Sequence, residues 1–130
     1  MTNLEKMIAA VCLFGASALA QSALPPRISA AQAKDYIGKQ ATVCGKVVDN
    51  EIRKNGLAGF GFPVSFDLDE PKPTPVFYFV AFGPLGGQDA VVTTYQDKSV
   101  CVTGKVTTEP SGGTPFILAT KSSMIKIQSK

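Results

Sequence analysis

The sequence contains no histidine and no tryptophan, and its arginines are confined to Arg27 and Arg53. Without histidine the commonest general base at neutral pH is missing, and two arginines leave little to stabilise a phosphoryl transition state. Charge is also sparse: 18% of residues are Asp, Glu, Lys or Arg, and the net charge is +3. A pI near 8.8 is mildly basic, short of the value above ~9 that marks a dedicated nucleic-acid-binding domain. There is no Cys-x-x-Cys pair, which excludes the usual dithiol redox motif. The apolar run Met7 to Phe14 is far short of the ~20 residues that span a bilayer. What is present, with 45% hydrophobic residues in 130, is enough for one globular core and too apolar for a disordered chain.

The first twenty residues obey different rules from the rest. A polar start with Lys6, the apolar run, and then Ala18-Leu19-Ala20 with small residues at the positions read by a signal peptidase together predict a signal peptide over 1–20. Cleavage after Ala20 fits best, with Ala18 as the alternative site. The competing reading is a retained anchor, which the short apolar run disfavours. The mature protein is therefore expected in the periplasm or the medium, with no transmembrane segment once the signal is removed. Loss of the leader also removes Cys12, so that Cys44 and Cys101 remain. In an oxidising compartment these two are expected to form a disulfide, two separate half-buried thiols being the alternative.

The mature chain divides into an extended tether over 21–28, which Pro25-Pro26 keeps out of helix, and one domain over 29–130. Ser29 with Gln32 three residues later is a capping box, and Ala30, Ala33 and Ile37 fall at helical spacing before Gly38. Val43-Cys44-Gly45-Lys46-Val47 and Val100-Cys101-Val102-Thr103-Gly104-Lys105-Val106 read as two strands, each with an internal glycine where a strand bends or bulges. Strand one covers 40–49. A Gly-rich hairpin loop follows over 50–62, then a strand over 63–69 with Val64, Phe66 and Leu68 on one face. Beyond the Pro-rich connection 70–75, Val76 to Phe82 is apolar on both faces, and 88–95 is a short helix or turn. Strands over 98–108 and 115–120 and a last short segment at Ile125 and Ile127 complete the chain.

The order of these elements is that of an all-β, five-stranded Greek-key OB-fold barrel, with a short N-terminal helix and a short helix or turn between strands three and four. Ser29 to Ala31, Thr42 to Val47, Asp67-Leu68, Pro71 and Val100 to Val106 resemble the small exported bacterial OB-fold proteins. The resemblance spans 28–128. It implies a fold usually associated with nucleic-acid binding and carries no catalytic motif. The chain departs from that pattern in its Gly-rich first loop and at Phe82, where a larger aromatic is expected.

OB-folds bind across the face of strands two and three and the adjoining loops. That surface maps here to Arg53, Lys54, Phe60, Asp67, Lys72, Tyr78 and Phe82. Cations interleaved with aromatics suit single-stranded nucleic acid, whereas Asp67 and Asp69 repel phosphate, leaving envelope oligosaccharide or protein as the alternative partner. The register of the third strand decides the aromatics: Phe77, Phe79 and Ala81 are expected inside and Tyr78, Val80 and Phe82 outside. Asp67, Asp69 and Glu70 could hold a hard cation, but carboxylates at a strand end beside a Pro-rich turn are more often a solvated corner. No metal, cofactor or catalytic residue is assigned, and the protein is expected not to be an enzyme.

Overall fold

The structure, a computed structural model, describes residues 24–55, 60–84 and 86–129. The expected signal peptide, residues 21–23 of the tether and part of the Gly-rich loop lie outside these residues. Among the described residues the architecture is mostly β: seven strands form one sheet whose hydrogen-bonded path, β6-β4-β3-β2-β5-β7 with β1 beside β2, does not close on itself. The strands are β1 (Arg27–Ser29), β2 (Gln40–Ile52), β3 (Phe62–Leu68), β4 (Tyr78–Gly83), β5 (Ser99–Lys105), β6 (Phe116–Leu118) and β7 (Ile125–Ile127). The helix α1 (Gln88–Tyr95) joins β4 to β5. The chain just beyond β5 meets β6 at an isolated bridge, where Thr107 and Phe116 exchange backbone hydrogen bonds of 2.9 and 2.8 Å.

The sheet is built on β2, which runs for 13 residues and changes partners midway. Gln40 to Lys46 pair with β5, and Val47 to Ile52 pair with β3, with a register shift between Val47 and Asp49. The extra residue there is Val48, a bulge that turns the strand from one half of the sheet to the other. The bulge falls beyond Gly45, so the internal glycines have a different purpose from the expected bend. A Cβ on Gly45 would lie 2.9 Å from Asp69 Oδ1, the oxygen that accepts the Lys46 N–H at 2.9 Å. A Cβ on Gly104 would lie 2.8 Å from the Ile117 side chain. Both glycines admit a close neighbour.

Two further expectations are corrected at the N-terminal end. Arg27 to Ser29 are not a free tether but pair in parallel with Thr42 to Cys44, burying Ile28. The helix that follows, Ala30–Asp35, is 3-10. Its capping box is in place, Gln32 Oε1 accepting the Ser29 N–H at 2.9 Å. A period of three aligns Ala30 and Ala33 with Tyr36, which packs on the core, and leaves Ile37 exposed.

The core fills the concave side of the sheet. Val64, Phe66 and Leu68 of β3 and Phe79 and Ala81 of β4 point inward, as alternation requires. Phe66 and Phe79 stack at 5.0 Å between centroids, and Tyr95 from α1 meets both edge-on at 5.6 and 5.9 Å. Cys44 and Cys101 are directly opposed in the β2–β5 ladder, with Cα atoms 4.1 Å apart, and are joined by a disulfide.

Candidate functional site

The register of the outer face lays its side chains in rows, because residues directly opposite in a ladder project on the same side. The first row is Asp49, Asp67, Tyr78 and Phe116, across β2, β3, β4 and β6. Glu51, Ser65, Val80 and Leu118 form the second. The third contains Pro63 and Phe82, and here the Arg53 N–H donates to the Pro63 carbonyl at 3.0 Å. The Pro-rich connection 70–75 and the turn 109–114 flank the first two rows. Between them lies a groove of about 210 Å³ lined by Arg53, Ser65, Asp67, Lys72, Pro75, Tyr78, Glu109 and Thr114.

Lys72 reaches into this groove and is surrounded by carboxylates. Its Nζ donates to Asp67 Oδ2 at 2.9 Å and lies 3.8 Å from both Asp49 Oδ2 and Glu51 Oε2. Asp67 is 2% exposed, and Lys72 supplies the hydrogen bond that its buried carboxylate needs. Burial acts to lower the Lys72 pKa, but the hydrogen bond to Asp67 and the charges of Asp67, Asp49 and Glu51 outweigh it and raise it above its ordinary value. Tyr78 stacks on Phe116 with centroids 5.0 Å apart. Burial pushes the Tyr78 hydroxyl up, Glu109 and Asp67 adding to the rise and Arg53 opposing it.

Beneath the second row is a polar atom with unmet capacity. Ser65 is 2% exposed and its hydroxyl has no hydrogen-bond partner among the described residues. Leaving a buried hydroxyl unpaired costs about 1–3 kcal/mol, which marks the floor of the groove as a place where a ligand could recover hydrogen bonding.

The raised Lys72 pKa gives a testable pH dependence. A group whose folded pKa exceeds its unfolded one contributes stability below the unfolded value and loses it as pH rises through the folded one. The wild-type advantage over Lys72→Met in urea midpoint is therefore expected to be constant up to about pH 9.5 and to shrink above about pH 10.5. A difference that stays constant through that range would mean that the ammonium does not stabilise the fold.

The structure brings Arg53, Asp67, Lys72 and Tyr78 to one groove. Lys54 is exposed at the bend after β2 and lines no part of it. Phe60 and Phe82 meet each other, with ring centroids 5.7 Å apart, and line a separate cleft of about 510 Å³ against Val91 and Tyr95. Tyr78 and Phe82, expected on one surface, thus line separate depressions. Asp69 and Glu70 do not join Asp67: the Asp69 carboxylate turns back to cap Lys46, and among the described residues no three acidic or cysteine side chains converge as metal ligands. Asp49, Glu51, Ser65, Glu109 and Phe116 escaped the sequence-based site. The polar run Asp49-Asn50-Glu51 has no apolar alternation, so the sequence carried no signal that β2 continues past Asp49.

No protein-family profile and no curated protein matches the sequence. Among solved structures, the chain is similar to the crystal structure of a "putative nucleic acid-binding lipoprotein" from Klebsiella pneumoniae, at 22% identity over 77% of this chain and 78% of that one, with a TM-score of 0.44.

Proposed function

We propose that the protein is an exported, non-catalytic binding module of the OB-fold type whose groove takes a hydroxyl-rich chain, an envelope oligosaccharide, in preference to single-stranded nucleic acid. The OB assignment is supported by connectivity: β2, β3 and β4 form an antiparallel meander, β5 returns beside β2, β6 lies parallel to β4, and α1 falls between β4 and β5. Export to the periplasm or the medium is supported by the leader-like N-terminus and by a cysteine pair bridging two ladder-opposed strands.

The observation that carries the choice of ligand is the neutralisation of Lys72. A phosphate chain entering the groove would meet Asp67 and Glu109, with Asp49 and Glu51 close by, against Arg53 and an ammonium already engaged by carboxylates. Carboxylates and a lysine that bond hydroxyl groups, next to an aromatic pair, are suited to a sugar ring instead. Calorimetric titration of residues 21–130 with neutral oligosaccharides of several linkages tests this. Binding is expected to persist at moderate salt and to fall about tenfold in Tyr78→Ala, without a matching loss of melting temperature. Salt-dependent binding of a labelled DNA strand, with no sugar bound, would overturn it.

A further inference from the structure

The carboxylates around Lys72 outnumber it, and Arg53, which also lines the groove, lies beyond ion-pair distance of them. Asp49, Glu51 and Asp67 share one ammonium, and among the described residues no other lysine or arginine lies within ion-pair distance of them. Lys72 is held at hydrogen-bond distance by Asp67 alone; Asp49 Oδ1 accepts the Asn50 N–H at 2.8 Å, which leaves Asp49 Oδ2 and the Glu51 carboxylate with capacity for a second cation. They stand on alternate positions of β2, projecting on one side, and Glu51 is directly opposite Ser65. The buried Ser65 hydroxyl, unpartnered among the described residues, therefore adjoins Glu51, one of the two carboxylates that stand 3.8 Å from Lys72.

We infer that the groove selects an amino sugar: a unit whose protonated primary amine sits between Asp49 and Glu51, with one of its polar groups satisfying Ser65. This rests on the oligosaccharide reading above and narrows it. An ammonium supplies the missing positive charge and three donors, which a neutral hydroxyl cannot, and it enters a site that Lys72 shows to accept that chemistry. An acetylated amine keeps the size of the sugar and loses the charge. The groove should therefore discriminate against it.

The test is titration of residues 21–130 with a fully deacetylated glucosamine trimer and with its N-acetylated counterpart. The free-amine trimer is expected to bind at least about tenfold more tightly. The preference should shrink several-fold in Glu51→Gln and disappear in the Asp49→Asn, Glu51→Gln double variant, both carboxylates being exposed enough for the fold to tolerate the change. Equal binding of the two trimers, or a preference unchanged in the double variant, would overturn the amino-sugar inference while leaving the oligosaccharide reading intact. If neither trimer nor any neutral oligosaccharide binds, both fail.

Discussion

Replacing Cys44 and Cys101 together by alanine is expected to lower stability by roughly 4 kcal/mol, with the melting temperature falling by roughly 15–25 °C. The bridge closes a loop with a sequence separation of 57. In the folded state the two residues are held opposite one another by the β2–β5 ladder regardless of the bond, so the bridge acts mainly by denying the unfolded chain its most open conformations. Against a typical total of ~5–15 kcal/mol this is a large share. Denaturant titration of the double variant and of the reduced wild type should give the same loss, and thiol titration of the denatured, unreduced protein should find no free thiol. A loss below about 1 kcal/mol, or two free thiols, would show that the ladder holds without the bridge.

Phe66→Ala is expected to cost about 3–5 kcal/mol, because it empties the centre of an aromatic cluster that has no room to collapse. Phe66 is fully buried, with Phe79 stacked on it and Tyr95 against it edge-on. Phe82→Ala, on the opposite face, is expected to cost only about 1 kcal/mol, since Phe82 is partly exposed and its aromatic neighbour Phe60 is exposed. Chemical denaturation of the two variants side by side tests the assignment of faces. Equal losses would place both rings in the core.

Much of this division was legible in the sequence. Alternation through Val64, Phe66 and Leu68 identifies the inner face of β3, and the continuously apolar β4 is resolved by the preference for a small Ala81 among crowded phenylalanines. The cysteine pair could be read because both residues occupy matching slots in similar strands. What could not be read depended on contacts distant in sequence. β1 has three residues and no period of its own, and exists because β2 offers an open edge. Tyr36 replaces Ile37 in the core because the preceding turn is 3-10, a choice that residue types at this length do not determine. The groove was half legible: Asp67, Lys72 and Tyr78 were identified, but the partners that give Lys72 its meaning lie on β2 beyond a bulge, and they oppose Asp67 and Ser65 only once the β2–β3 register is known.

The change of partners along β2 has a consequence for a chain that emerges amino end first. β3 follows β2 closely, so the second half of β2 gains its ladder early, at small loop-closure cost. The first half must wait for β5, whose Cys101 lies 57 positions beyond Cys44. During that interval β1, already made, pairs with residues 42–44 along the edge opposite the one that awaits β5. A three-residue strand thus closes the edge of the first half of β2 that β3 does not reach, so that while the domain is incomplete this half exposes one hydrogen-bonding edge to other chains and not two.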